Sequence, residues 1–175
     1  MDTPVIMQGL PFRSNGTGRN TGVLTVHSMA EYLWYEGRLR PASEFLRHIG
    51  RSVHFTILPC GQVVKHGEPR DVFWHAKGAN FTSVGVELLV PGVFTWDQWL
   101  PVIQQMPEAG VYTARQYDGL LTVMDYLVKD GYVTGNPAEH SWQRHSVQSK
   151  GRKPDPGEAF SSKKFNNMLK QHYGG

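Results

Sequence analysis

The 175-residue sequence predicts an α/β domain, a central mixed β-sheet with helices on both faces, and three segments carry that expectation. Val23 to His27 is a short apolar run that follows a polar, glycine-rich stretch. Ser83 to Val90 (SVGVELLV) is a dense β-favouring run of the kind that crosses the middle of a sheet. Between Thr113 and Lys129, the residues Tyr117, Leu120, Leu121, Met124, Leu127 and Val128 fall at helical spacing.

Along the chain, Ser14 to Thr21 (SNGTGRNT) reads as a loop leading into the strand Val23 to His27, which is expected to end at its histidine. Pro41 to Ile49 reads as a short amphipathic helix with proline at its start and Phe45, Leu46 and Ile49 on one face. Val53 to Leu58 and Gln62 to Lys65 are separated by Pro59, Cys60 and Gly61, the pattern of a hairpin. The strand Ser83 to Val90 carries one charge, Glu87, and is expected to stop at Pro91 and Gly92. Thr113 is a suitable N-cap for the long helix and Gly131 a suitable stop. Lys163 to His172 places Phe165, Met168 and Leu169 on one side of a basic segment, which suits either a terminal helix against the core or a loosely held tail. No repeat and no dividing linker is visible, so one domain over 1–175 is expected, with its core at about 23–160 and a basic amphipathic segment at 161–175.

A hydrophobic fraction of 39% and a charged fraction of 19% are globular values. The single cysteine, Cys60, excludes an intramolecular disulfide. A formal charge of +3 favours anionic polymers, a class that includes nucleic acid, acidic lipid and the bacterial cell wall. Met1 to Pro11 lacks the basic opening and apolar run of a secretory signal, and no stretch approaches the roughly 18 apolar residues of a spanning helix. The expectation is therefore a soluble chain made in the cytoplasm without a signal peptide.

Among eight histidines, company separates a ligand from a core or surface residue. His145 is followed ten residues later by Asp155, inside Lys153-Pro-Asp-Pro-Gly157. Two prolines hold that carboxylate at low entropic cost, although the tetrapeptide taken alone reads as a turn with an acidic residue in it. With His27 at an expected strand end, these residues make a two-histidine, one-carboxylate set that leaves a fourth position for water, as in catalytic zinc sites. Glu87 is a second clue, because a carboxylate in an apolar strand costs several kcal/mol to bury without partners. Its competing reading is an outward-facing edge residue. Trp74-His75-Ala76-Lys77-Gly78 suits one wall of a substrate groove, or a polar loop with its tryptophan tucked inward.

Taken in order, Val26-His27-Ser28, Ser52-Val-His-Phe55 with Gly61 beyond it, Trp74-His-Ala-Lys-Gly78, Asn80-Phe-Thr-Ser-Val-Gly-Val-Glu87, and His145 with Lys153-Pro-Asp-Pro-Gly157 resemble the type 2 N-acetylmuramoyl-L-alanine amidases. That family includes small phage endolysins, cytoplasmic muropeptide-recycling amidases and peptidoglycan recognition proteins. The resemblance implies zinc-dependent hydrolysis of the bond between N-acetylmuramic acid and L-alanine, in a cleft at one edge of the sheet. It implies one Zn2+ held by His27, His145 and Asp155, with Glu87 as acid/base residue and Lys153 stabilising the oxyanion. Trp74, His75, Lys77 and Asn80 are then expected to bind substrate.

Departures narrow the comparison. Val53 stands where many phage members have tyrosine, Asp155 excludes the members whose third ligand is cysteine, and Ser28-Met29 replaces a threonine-containing pattern. Glu87 with Lys153 resembles the recycling enzymes, whereas His-Ala-Lys-Gly leans toward the phage enzymes. Recognition modules of the family usually lack a ligand, and none is missing here. The expected partner is peptidoglycan or a muropeptide, with no nucleic acid and a monomeric state; residues 163–172 read first as a packed terminal helix with a solvated basic face, and second as a segment in weak contact with an anionic membrane. No separate wall-binding domain is visible, which favours a phage or prophage lysin of Gram-negative-type wall over a cytoplasmic recycling amidase.

Overall fold

The chain runs β1 (Ile6–Gln8), β2 (Val23–Tyr35), β3 (Arg38–Pro41), α1 (Ala42–His48), β4 (Phe55–Ile57), β5 (Val63–Lys65), β6 (Ser83–Phe94), α2 (Trp96–Ile103), a short 3-10 helix (Pro107–Ala109), α3 (Ala114–Lys129), β7 (Trp142–Arg144), α4 (His145–Gln148) and α5 (Ser162–Tyr173). This computed structural model describes residues 5–174; the first four residues and Gly175, which the expectations for Met1–Pro11 and for 161–175 partly cover, lie outside the described residues. Among the described residues the strands form one seven-stranded sheet in the order β1-β5-β4-β6-β2-β3, with β7 also on β2. Pairing is parallel for β1–β5, β4–β6, β6–β2 and β2–β7, and antiparallel for β4–β5 and β2–β3. The mixed α/β architecture expected from the sequence is thus the observed one.

The long parallel pair β2–β6 is the spine. Alternation along it sends Leu24 and Val26, Val84, Val86 and Leu88, and Phe55 and Ile57 of β4 to one face, all fully buried. They share a core with Leu120, Val123, Met124 and Leu127 of α3, each contributing about 1.5–3 kcal/mol by leaving water. α3 begins where the sequence places it, because Thr113 and Gln116 close a capping box. α5 packs on α3, with Phe165 and Leu169 fully buried and Met168 partly so. Its apolar side is therefore spent on the core, and Lys163, Lys164 and Lys170 remain on the solvent side. Among the described residues no helix is long and apolar enough to cross a membrane.

Two strand ends differ from expectation. β2 does not stop at His27 but continues to Tyr35, since β6 supports it along one side and β3 pairs with Tyr32–Tyr35 on the other. Nor does β6 stop at Pro91 and Gly92. The register steps from Ala30↔Val90 to Tyr32↔Val93, so Pro91 and Gly92 together oppose Glu31 in a bulge. A proline has no N–H to give the ladder, and a bulge is where a sheet tolerates that loss. The helix expected over Pro41–Ile49 has Phe45 and Leu46 in the core, but Ile49 is its C-cap and is exposed. The hairpin is present as β4–β5. α2, for which no helix was expected, is capped by Thr95 and Gln98 as α3 is by Thr113 and Gln116.

Candidate metal centre and cleft

The face of the spine opposite α3 carries one row of polar side chains. His27 of β2 pairs in register with Glu87 of β6, and Glu87 with Thr56 of β4, so all three point the same way from adjacent parallel strands. β7 joins the outer edge of β2 at Leu24–Val26 and passes directly into α4, whose first residue is His145. The sheet therefore delivers His145 beside His27, with ring centroids 4.2 Å apart.

Asp155 arrives from the loop after α4. Its carbonyl oxygen accepts a hydrogen bond from Ser146 N at 2.8 Å, and the Tyr112 hydroxyl donates to Pro156 O at 2.6 Å. Gly157 presses on the end of α2, where Ala159 N donates to Ile103 O at 2.9 Å. Gly157 has φ +75°, and a Cβ there would lie 2.1 Å from Ile103 O, so only glycine fits. So tethered, the Asp155 carboxylate lies 2.9 and 3.0 Å from His145 Nδ1 and 3.2 Å from His27 Nδ1. Donor atoms of these three buried residues all fall within 4.8 Å of one another.

Burial raises the Asp155 carboxyl, but the neighbouring His145 and His27 imidazoles outweigh it and hold the group well below the usual carboxylate range. Burial lowers His27, and neighbouring His145 adds to that against the opposing pull of Asp155. Glu87 is pushed well above the ordinary glutamate value, first by burial and then by the charge of Asp155. Its Oε2 is buried without a hydrogen-bond partner among the described residues.

His75 stands behind His27. Its Nδ1 lies 3.0 Å from His27 Nε2, and its Nε2 lies 3.1 Å from the carbonyl oxygen of Ser83. Burial, with His27 and His54 nearby, holds it well below the usual imidazole value. The loop carrying it is turned by Asn80, whose Oδ1 accepts from His75 N at 3.1 Å and Ala76 N at 2.8 Å. Asn80 does not line the cleft. His54 is fully buried, with Nε2 donating to Asp71 O at 2.9 Å and Nδ1 accepting from Gly85 N at 3.0 Å.

Over these residues opens a cleft of about 310 Å3. Trp74 and Trp96, 40% and 43% exposed, stand in its lining, as do Arg51, Lys77, Arg152 and Lys153. None of those four cations has an ion-pair partner among the described residues. The structure thus brings His27, His145, Asp155, Glu87, Lys153, Trp74, His75 and Lys77 to one cleft. Arg51, Trp96 and Arg152 were not singled out from the sequence. The spacing of Trp96 and Trp99 behind a Thr95 cap could have placed the tryptophan, but nothing in the sequence pointed to the two arginines.

Two histidines and a carboxylate converge beside a buried glutamic acid at the floor of an open cleft, a donor set that could hold a metal ion. The chain belongs to the N-acetylmuramoyl-L-alanine amidase family, whose model matches residues 17–158. No curated protein sequence matches it. Among solved structures it is similar to the amidase LysC from Clostridium intestinale URNW, at 19% identity and TM-score 0.64, covering 95% of this chain and 98% of that one. It is similar also to Drosophila PGRP-LB, at 16% identity and TM-score 0.61, covering 96% and 94%. AmiD from E. coli, in complex with its substrate anhydro-N-acetylmuramic acid-L-Ala-D-gamma-Glu-L-Lys, matches at 16% identity and TM-score 0.58, over 90% of this chain and 60% of that one. At such identities the likeness is one of fold.

Proposed function

We propose that this protein is a zinc-dependent N-acetylmuramoyl-L-alanine amidase that cuts the first amide of the peptidoglycan stem, in the role of a phage or prophage endolysin. The observation that carries this reading is the open donor set of His27, His145 and Asp155 with Glu87 in the adjoining register position. The fit to zinc is geometric. Tetrahedral ligands roughly 2.0–2.1 Å from one ion lie about 3.3 Å apart, close to the 2.9–3.2 Å separating the carboxylate from the two Nδ1 atoms. Three protein ligands with a cleft on the remaining side match the catalytic class of site.

A bound zinc ion supplies a Lewis acid and a water acidified toward about pH 7. The chain's residues do the rest. Arg51, Lys77 and Arg152 draw the carboxylates of a stem peptide into the cleft, and Trp74 and Trp96 offer flat apolar surface to its sugar end. Glu87 takes the proton of the attacking water on its carboxylate as the water oxygen joins the lactyl carbonyl carbon. Lys153 donates to the carbonyl oxygen as it becomes anionic. When the C–N bond breaks, Glu87 returns that proton to the departing alanine nitrogen. Muramic acid keeps a carboxylate and the stem peptide leaves with a free amine. Burial supports Glu87 in this role because it raises the group's affinity for the proton it must hold and return.

The test is digestion of Gram-negative sacculi and, in parallel, a soluble anhydromuropeptide, with chelator and with zinc restored. Mass spectrometry of the new ends should find stem peptides with free N-terminal L-alanine from sacculi, lost with chelator and regained with zinc. Cleavage of the soluble substrate alone would replace the endolysin role with muropeptide recycling. No cleavage of either by zinc-loaded protein would leave a recognition module.

A further inference from the structure

His75 meets two acceptor-capable groups, and their chemistry leaves one arrangement of protons. The carbonyl oxygen of Ser83, 3.1 Å from His75 Nε2, can only accept. The Ser83 hydroxyl is no alternative donor, since it donates to Ala79 O at 2.8 Å. His75 Nε2 therefore carries hydrogen, and the neutral ring has its lone pair on Nδ1. That lone pair faces His27 Nε2 at 3.0 Å, so His27 Nε2 is the donor and His27 Nδ1 is left with a lone pair. Nδ1 is the atom on the Asp155 side.

We propose that His75 is a positioning residue of the metal site: it accepts a hydrogen bond from His27 Nε2 and so fixes His27 as the tautomer, and in the ring orientation, whose Nδ1 binds the ion. The inference rests on the reading of His27 as a zinc ligand. The surroundings are built to hold the ring in place. A Cβ on Gly85 would lie 2.6 Å from His75 Nδ1, so the imidazole packs against bare backbone of β6, in the register position beside Thr25. Asn80 ties the backbone N–H groups of His75 and Ala76 to one oxygen, which fixes where the ring leaves its loop. The chain from Ser83 through His75 to His27 couples the start of β6 to the metal-facing nitrogen on β2. An outer partner of this kind sets ligand basicity and direction, and its loss typically weakens metal binding about 10–100-fold.

The experiment measures zinc affinity by competition with a chromophoric chelator for the wild type, His27→Ala, His75→Ala and His75→Asn. It also records imidazole 15N spectra of the zinc-free wild type. Asparagine places an amide oxygen near the position of Nδ1 and keeps the acceptor. Expected are an affinity about 10–100-fold weaker in His75→Ala, recovery of most of it in His75→Asn, and a wild-type His27 protonated at Nε2. Zinc binding in His75→Ala equal to wild type overturns the proposal, as does equal loss in both variants, which would assign the effect to packing over Gly85. A wild-type His27 protonated at Nδ1 overturns it too, and that spectrum decides the matter even if the variants do not fold. Failure of the underlying zinc reading looks different: wild type and His27→Ala would then bind zinc equally poorly.

Discussion

His27 and Glu87 are register partners on adjacent parallel strands, so a candidate metal ligand and the buried acid beside it are held to one another by the sheet's own hydrogen bonds. Neither depends on a loop for its place. Glu87→Gln keeps the shape of that side chain and removes its proton exchange. Hydrolysis should fall about 10^2–10^4-fold, with zinc content unchanged by elemental analysis. Stability of the zinc-free protein should move in a definite direction as well. The folded-state pKa of Glu87 is raised well above 4.5, so the folded state favours the protonated acid. That contribution is full below pH 4.5 and is lost as pH rises through the folded value. The glutamine variant has no such loss, so its stability relative to wild type should rise between pH 4.5 and neutrality in urea titrations.

Zinc should appear in the thermal transition. An ion that binds only the folded state stabilises it by about 2.7 kcal/mol at 100 times its dissociation constant. Differential scanning calorimetry should show a higher melting temperature with zinc than with chelator for the wild type, and no difference for Asp155→Ala.

The Asp155 loop should be sensitive to a single methyl group. Gly157→Ala places a Cβ 2.1 Å from Ile103 O at a left-handed backbone position, so the loop must move away from α2 or leave its conformation. Strain of this kind costs of order 1–3 kcal/mol. Because Asp155 sits two residues earlier, zinc affinity should fall together with the melting temperature. A variant that melts lower but binds zinc as wild type would separate the loop's fold from the ligand's position.

Much of the fold was legible because local chemistry agrees with the final contacts. α3 shows this: Thr113 and Gln116 cap it, its apolar residues recur at helical spacing, and Gly131 ends it. β2 was cut short at His27 because its second half is maintained by β3 and β6, and partners distant in sequence leave no mark on Ser28 to Tyr35 themselves. Pro91 reads as a stop in the sequence because the bulge that accommodates it exists only opposite Glu31. At the site, His145 and Asp155 carry a signal in their spacing and in the flanking prolines. The placement of His75 behind His27 carries none, since it depends on Gly85 leaving room across the sheet and on Asn80 turning the loop.

α5 separates packing from charge. Phe165 and Leu169 are fully buried while Lys163, Lys164 and Lys170 stand outside the core. Phe165→Ala should cost about 3–5 kcal/mol by cavity formation, read as a shift in the urea midpoint. Replacing the three lysines with glutamine should leave stability within about 0.5 kcal/mol. If the basic face helps the protein reach an anionic membrane, the same triple variant should lose binding to phosphatidylglycerol vesicles and still digest isolated sacculi. Unchanged vesicle binding would dismiss the membrane role.

Acid should unfold this protein in part through His54. Burial pushes its pKa down from 6.5 to about 4, against the opposing pull of the Asp71 carbonyl and charge. A lowered histidine value means that the folded state prefers the neutral ring, which donates to Asp71 O and accepts from Gly85 N. The corresponding stability is fully present above pH 6.5 and is lost as pH falls toward 4, by at most about 3 kcal/mol at about 1.36 kcal/mol per unit. His66 and His75, also lowered by burial, act in the same direction. The urea midpoint of the zinc-free protein should therefore decline from pH 6.5 to pH 4. His54→Gln should begin from lower stability, having lost fitted hydrogen bonds, but decline less steeply over that interval. Parallel declines in the two proteins would remove His54 as a source of the acid sensitivity and leave it to the other buried histidines.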